Sequence, residues 1–183
     1  MHHIGKLCLI APTPEDPKGA GSFAQWDELE REFDFRFPDT YKELCSNYGA
    51  GSFADFFGVA NPFYRGPHYV PYKEWIQMRL KGIEQARSAY PEEAIDLPIY
   101  PKNGGLFPWG YTDNGGTMCW LTEGESSCWK IICLDEAYSK NYDRLDLSIV
   151  EFIEKWLTGE ISVPTLTPPD FYPIKRPVFS SYS

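Results

Sequence analysis

Residues 37–51 read Phe-Pro-Asp-Thr-Tyr-Lys-Glu-Leu-Cys-Ser-Asn-Tyr-Gly-Ala-Gly, and this stretch specifies a helix together with both of its ends. Pro38 suits the first helical position, where its missing N–H would have no partner and its fixed φ already fits a helix. Gly49 is placed to end the helix in a left-handed cap, and Gly51 permits a second bend before Phe53. An apolar stripe at helical spacing is formed by Tyr41, Leu44, Cys45 and Tyr48.

The segments on either side of this helix carry their own signals. Residues 1–21 predict an irregular lead-in, with an edge strand over residues 7–11. Ser22 and Gln25 then have the spacing of a capping box. They open a helix whose predicted core face is formed by Phe23, Trp26, Leu29 and Phe33. After the second helix, residues 52–60 predict one strand, and Pro71 begins a third helix that ends at Tyr90-Pro91.

Three strands are predicted in quick succession over residues 106–112, 117–122 and 128–134. The Asp113-Asn114-Gly115-Gly116 sequence favours a tight hairpin, because Asn-Gly tolerates two positive φ values. A second turn centred on Gly124-Glu125 predicts a register with three cross-strand pairs. They are Trp120 with Trp129, Met118 with Ile131, and Thr122 with Ser127. Both faces of this hairpin are largely apolar, which predicts a central position covered on both sides.

A final helix is predicted from an N-cap at Asp146 to a stop at Gly159. Its apolar stripe contains Ile149, Val150, Ile153, Trp156 and Leu157. Residues 161–183 follow as a proline-rich tail. The apolar side chains of this tail predict that it packs on the body of the protein, and they are Phe171, Tyr172, Val178 and Phe179.

The composition suits a single folded domain with an acidic surface. The chain has 183 residues, of which 43% are hydrophobic and 16% aromatic, enough to form a core without disulfides or metals. Against 26 acidic residues stand 17 Lys and Arg, for a formal net charge of −9. This balance disfavours a nucleic-acid binder, which needs a basic patch, and suits docking onto a basic partner.

The cysteines and the apolar segments bear on localisation and on metal binding. The five cysteines fit no zinc spacing and include no Cys-x-x-Cys pair, so buried reduced thiols are expected. No signal peptide opens the chain, and no apolar run approaches the roughly 20 residues of a membrane span. We therefore expect a cytoplasmic protein without a membrane partner, a metal or a cofactor.

Several of these motifs, taken in order, resemble the SUKH superfamily of Smi/Knr-like proteins. The stretch from Phe37 to Gly51 is similar to the Leu-Pro-x-x-Tyr helix of the family and its closing glycine pair. Residues 107–116 with Trp120 are similar to the family's strand, Asn-Gly turn and Trp strand. The first helix also matches through Trp26, Leu29 and Phe33, and the closing helix through Phe152, Ile153 and Trp156. The resemblance covers residues 22–158, leaving a lead-in over 1–21 and a proline-rich extension over 159–183.

The resemblance implies an α+β fold, with helices packed on a mostly antiparallel sheet in a single domain. It also implies a non-enzymatic immunity protein that binds and neutralises a cognate bacterial toxin, such as a nuclease or a deaminase. Two alternatives remain open. One is a regulatory scaffold of the fungal cell-wall type, and the other is a small hydrolase.

Candidate partner-binding residues lie on the predicted strand over residues 106–112 and at the two hairpin turns. Trp109 and Tyr111 are aromatic anchors if that strand lies near the rim of the sheet. The acidic residues Asp113, Glu123 and Glu125 are candidates for contact with a basic toxin surface, although turns also favour such residues for backbone reasons. No catalytic set is predicted. A hydrolase would need two carboxylates in a cleft, and His2, His3 and His68 lie at a chain end or in a loop.

Overall fold

Five α-helices and seven β-strands make up the part of the chain that the computed structural model describes, which is residues 4–67, 69–167, 171, 174 and 176–182. The helices are α1 (Gly5–Ile10), α2 (Phe23–Phe33), α3 (Asp39–Tyr48), α4 (Tyr72–Ala89) and α5 (Ile149–Thr158). The strands are β1 (Gly51–Phe53), β2 (Phe57–Val59), β3 (Leu106–Thr112), β4 (Thr117–Leu121), β5 (Lys130–Leu134), β6 (Asp143–Leu145) and β7 (Phe179–Ser181). None of the described helices combines the length and apolar character that crossing a membrane requires.

The strands form one antiparallel sheet in the order β6-β5-β4-β3-β2-β1-β7. Side chains alternate between the two faces of a strand, and β4 shows what covers each face. Trp120 packs against Tyr41 of α3, whereas Thr117 accepts a hydrogen bond from Arg79 of α4. Every residue of β4 is buried, so the predicted cover on both faces is confirmed. The α+β class, with a mostly antiparallel sheet in a single domain, is confirmed as well.

Helix α3 confirms the prediction from residues 37–51 in its core face and differs in detail at both ends. All four residues of the predicted stripe are buried. Gly49 closes the helix as predicted, at φ +69°, but its ψ of −146° differs from that of a left-handed cap. Pro38 is the N-cap rather than the first helical residue. Gly51 is not a bend but the first residue of β1, where a Cβ would collide with the Ser180 carbonyl of β7.

Helix α2 begins at the predicted capping box, in which the Gln25 N–H donates to Ser22 Oγ and the Ser22 N–H donates to Gln25 Oε1. Trp26 and Phe33 are buried as predicted. Phe23 was expected on the same core face, but it is 93% exposed. This first-turn side chain lies outside the stripe, which begins with Trp26.

The edge strand predicted over residues 7–11 is wrong, because this segment belongs to helix α1 and its end. Ile4, Leu7 and Ala11 are buried and lie three and four residues apart, which is the period of a helix face. The helix packs on α5. The alternation of Leu7 and Leu9 is not a strand pattern, since Leu9 is exposed.

Residues 52–60 form a hairpin rather than the single strand predicted. Strands β1 and β2 pair through Phe53 and Phe57, and Ala54 and Asp55 turn between them with positive φ. The rings of Phe53 and Phe57 are both fully buried. Asp55 is a residue that favours turns, but it stands alone between Phe and Ala residues that continue the strand pattern, and Ala54 has no turn preference of its own.

The β3–β4 hairpin is confirmed, but its turn differs from the predicted type. Only Gly115, at φ +95°, has a positive φ among Asp113, Asn114 and Gly115. Asn114 instead accepts a hydrogen bond from Thr112 Oγ1 at 2.6 Å and donates to the Leu166 carbonyl at 3.0 Å. The turn therefore also anchors residues that follow α5.

The β4–β5 pairing is shifted by two residues from the predicted register, and β5 begins at Lys130 instead of residue 128. Trp120 lies opposite Ile131 and Met118 opposite Cys133, while Thr122 and Ser127 lie outside the pairing. A 3₁₀ turn at Ser126–Cys128 lengthens the connection beyond a two-residue turn. A shift of two keeps every side chain on its predicted face, because the period of a strand is two.

Helix α4 begins after Pro71 and ends before Tyr90, as predicted. Helix α5 ends at Gly159 as predicted, but its N-cap is Ser148 rather than Asp146. Parts of the tail pack on the body. The ring of Phe171 lies 4.5 Å from that of Phe56, and the ring of Phe179 lies 4.9 Å from that of Tyr48. Tyr172 lies outside the described residues.

Candidate functional site

Of the five predicted partner-binding residues, Trp109 is buried in the core. The other four lie toward the two ends of the β3–β4 hairpin. Trp109 is fully buried against Phe57, Trp120 and Phe152, so the expectation of an exposed anchor there is corrected. A bulge between Pro108 and Gly110 turns this side chain into the core. Tyr111 is half-buried, and it is the one of the two aromatic residues that reaches a cavity wall.

The three acidic candidates are exposed, but they do not lie together. Asp113 is in the β3–β4 turn, whereas Glu123 and Glu125 follow β4 at its other end. The five residues of β4 separate the two groups by about 17 Å, at about 3.4 Å per residue. The two groups are therefore distinct acidic sites at opposite ends of β4.

Tyr111 forms part of a cavity of about 620 Å³, which we call the aromatic pocket and whose described lining contains no charged residue. It lies between β2, β3, the N-terminal turn of α4 and the chain after β7. Its aromatic walls are Tyr64, Tyr69, Tyr72, Trp75, Tyr111 and Tyr182. Smaller side chains complete it, namely Ala50, Val59, Ala60, Asn61, Pro67, Val70 and Ser181.

Backbone features determine where the Tyr111 ring lies. Gly58 pairs with Tyr111 across β2 and β3, and a Cβ at Gly58 would collide with the phenol ring. The missing side chain therefore lets the ring lie flat across β2. On its other side the Tyr111 ring is 6.0 Å from that of Trp75, which α4 projects from its first turn.

Two hydroxyl groups of the aromatic pocket, those of Tyr111 and Tyr182, are hydrogen-bonded to each other. Tyr111 Oη and Tyr182 Oη are 2.8 Å apart, and the Tyr182 N–H donates to the Ala50 carbonyl at 3.0 Å. Burial is the largest cause that raises the pKa of Tyr111, and the bond to Tyr182 raises it further. The Tyr111 phenol is neutral at physiological pH, as an ordinary tyrosine is, and both effects widen that margin.

Two arginines stack on rings of the pocket. The Arg65 guanidinium lies 4.5 Å from the centre of the Tyr69 ring, and that of Arg79 lies 5.4 Å from the centre of the Trp75 ring. Each ring already has a cation on one face, which uses the attraction of the π-system for positive charge.

Three carboxylates line a second cavity, which is a polar cleft of about 700 Å³. This cleft lies between the starts of α3 and α5 and the chain that leads into β5. Asp39, Glu125 and Glu151 line this cleft with Arg36. Glu151 serves the cap of α5, since its Oε2 accepts from the Ser148 N–H. The paired carboxylates that a hydrolase would need are therefore present in this polar cleft, whereas the described lining of the aromatic pocket contains none.

The cysteines match the expectation of reduced thiols, with two exceptions in burial. All five are unpaired, and Cys8 is only half-buried. Cys45, Cys119 and Cys133 are buried, and burial raises the pKa of each thiol. Cys128 is exposed in the 3₁₀ turn, contrary to the expectation. No metal-binding group of three His, Cys, Asp or Glu occurs within the described ranges, and His2, His3 and His68 lie outside them.

The geometry defines a single-domain α+β protein with an aromatic pocket at one end of its sheet. Residues 24–153 match the model of the SUKH_6 family, described as SMI1-KNR4 cell-wall. The match covers more than half of the chain, and the protein therefore belongs to the SUKH superfamily. Searches of curated proteins and of solved structures returned no significant match.

Of the residues that line the aromatic pocket, only Tyr111 was predicted from the sequence as a candidate site residue. Tyr182 lies beyond the matched region, and Tyr64 and Tyr69 lie in a loop rich in Gly and Pro. A usable signal was present there, because Tyr64 and Tyr69, followed by Tyr72 at the start of α4, are more aromatic residues than a solvated connection needs.

Proposed function

We propose that this SUKH protein is a non-enzymatic, cytoplasmic immunity protein that binds and neutralises a cognate bacterial toxin. The observation that carries the proposal is the family match over residues 24–153, since bacterial members of this superfamily mostly act as immunity proteins. The cognate toxin would be a nuclease, a deaminase or a toxin of another class.

Charge supports a basic contact surface on the toxin. A net charge of −9 accelerates encounter with a basic protein through long-range attraction. Asp113 at one end of the sheet, and Glu123 with Glu125 at the other, are exposed acidic sites from which such a contact can be built. Because the two ends are far apart, charge reversal can show which end the toxin uses.

The test is co-expression with the toxin encoded by the neighbouring gene, in cells that the toxin kills. We expect the natural protein to restore growth. Lysine substitution at Glu123 and Glu125 together tests one end of the sheet, and lysine substitution at Asp113 tests the other. Rescue should be weakened by the substitution at the end that contacts the toxin. Absence of rescue by the natural protein, with both proteins expressed and soluble, would contradict the proposal.

A regulatory scaffold is the second candidate, and the description of the matching family as SMI1-KNR4 cell-wall favours it. Such a protein would also work by protein contacts, with a signalling partner in place of a toxin. A neighbouring gene that encodes no toxin, together with co-purification of a signalling protein, would favour this candidate.

A further inference from the structure

We propose that the aromatic pocket is a binding site for an uncharged, flat aromatic molecule that carries a hydrogen-bond acceptor. The chain after β7 supplies one wall of this site. The inference is independent of toxin neutralisation and rests on the size, lining, hydrogen-bonding groups and charge of the pocket.

The size and lining fit a small molecule. The volume of about 620 Å³ falls within the roughly 300–1,000 Å³ of small-molecule sites. Val59 and Ala60 supply an apolar surface, and the rings of Trp75 and Tyr111 flank it. Aromatic walls of this kind pack on a flat ring by offset or edge contacts.

The hydroxyl pair supplies a donor for an acceptor on the ligand. Tyr111 and Tyr182 have one O–H hydrogen each, and their mutual bond uses only one of the two. Asn61 belongs to the same wall but adds no donor for a ligand. Its Oδ1 accepts from the Phe63 and Tyr64 N–H groups at 2.9 Å each, and its Nδ2 is buried out of contact with the cavity.

The charges near the pocket select against a cation. No described lining residue is charged, so a cationic ligand would lose its hydration without gaining a counter-charge. Arg65 and Arg79 already stack on the rings of Tyr69 and Trp75, and they would repel a second positive charge. An aromatic cage that binds an ammonium group instead keeps its ring faces free of other cations.

The C-terminal chain completes the site. Ser181 and Tyr182 line the pocket although they lie outside the region that matches the family. Strand β7 holds them by pairing with β1, and a Cβ at Gly51 would collide with this strand. A ligand in the pocket therefore also contacts the docked end of the chain.

The test uses benzamide, which is neutral, flat and has a carbonyl acceptor, and benzylamine, which has the same ring and a positive charge. Binding to the full chain is followed by NMR at the indole N–H of Trp75. We expect saturable shifts with benzamide and none with benzylamine at equal concentration. Equal or stronger binding of benzylamine, or no shift with benzamide up to its solubility limit, would overturn the proposal.

Two sets of variants locate the site. Val70→Trp introduces a large ring at the rim and should abolish the benzamide shifts, whereas Met78→Trp, at an exposed position outside the pocket, should retain them. The double variant Tyr111→Phe with Tyr182→Phe should weaken benzamide about three- to tenfold and leave toluene unchanged. Shifts that persist in Val70→Trp, or equal losses for benzamide and toluene, would contradict the assignment.

Discussion

Glu154 is the buried charge of α5 that faces α1. It is 7% exposed, and the Lys6 ammonium lies 4.0 Å from its carboxylate. Burial raises the pKa of Glu154, and Lys6 and the Leu7 backbone N–H oppose this effect only in part. Glu151 and Glu160 raise the pKa further. The folded state thus holds the proton of Glu154 more tightly than the unfolded chain does.

A carboxyl group whose pKa is raised by folding stabilises the folded state at low pH. This stabilisation is lost as the pH rises above the ordinary pKa of 4.5 and through the pKa of the folded state. We therefore expect Glu154→Gln to be more stable than the natural protein at neutral pH, with a difference that shrinks toward pH 4.5 and below. Glutamine keeps an acceptor for the Leu7 N–H. Urea denaturation at a series of pH values measures the difference.

Glu84→Gln, at an exposed position on α4, controls for the loss of a carboxylate as such. A difference between Glu154→Gln and the natural protein that widens as the pH falls would contradict the assignment.

At the scale of elements, α5 has two candidate N-cap residues, Ser148 and Asp146, and their contacts distinguish them. Ser148 Oγ accepts from the Glu151 N–H at 3.3 Å, and the Ser148 N–H donates to the Glu151 carboxylate at 2.9 Å. Asp146, the residue that the sequence favoured, forms an ion pair with Lys130 and is 82% exposed at its side chain. An exposed pair of this kind contributes little.

We expect Ser148→Ala to lower the free energy of unfolding by about 1 kcal/mol, because it removes the cap. Asp146→Ala should cost less than about 0.5 kcal/mol, since it removes only a surface ion pair. Chemical denaturation of both variants provides the comparison. A larger loss for Asp146→Ala would show that the helix begins two residues earlier.

Elements with chemically marked ends were predictable from the sequence. The Ser22–Gln25 box fixed the start of α2, Gly49 and Gly159 ended α3 and α5, and Asn114-Gly115 located the β3–β4 hairpin. The register of β5 was not predictable, because the 3₁₀ turn at Ser126–Cys128 has no strong local signal. Helix α1 was missed because a six-residue helix shows too little of its period, and its burial depends on contact with α5.

At the scale of the whole molecule, the candidate site depends on contacts between distant parts of the chain. Tyr182 lies 71 residues from Tyr111, and their hydroxyl contact requires β7 to pair at the edge of the sheet. No local pattern contains that pairing. The burial of Trp109 follows likewise from a bulge, which reverses the face that strict alternation from Tyr111 would give.

At the scale of the whole molecule, the proposed function is inhibition by occlusion, in which the protein would bind the toxin and convert nothing. Binding and catalysis differ in stoichiometry. A binder inhibits in proportion to its amount, whereas an enzyme that modifies the toxin needs only a small fraction of an equivalent and a sufficient time. Separation of a bound complex under denaturing conditions also returns the toxin unaltered.

The most direct measurement is a titration of the purified cognate toxin with the purified protein, with toxin activity assayed at two incubation times. We predict that activity falls linearly to a fixed molar end point, that both times give the same curve, and that the refolded toxin regains full activity after separation. Complete inactivation by a small fraction of an equivalent, increasing with time, would contradict the account.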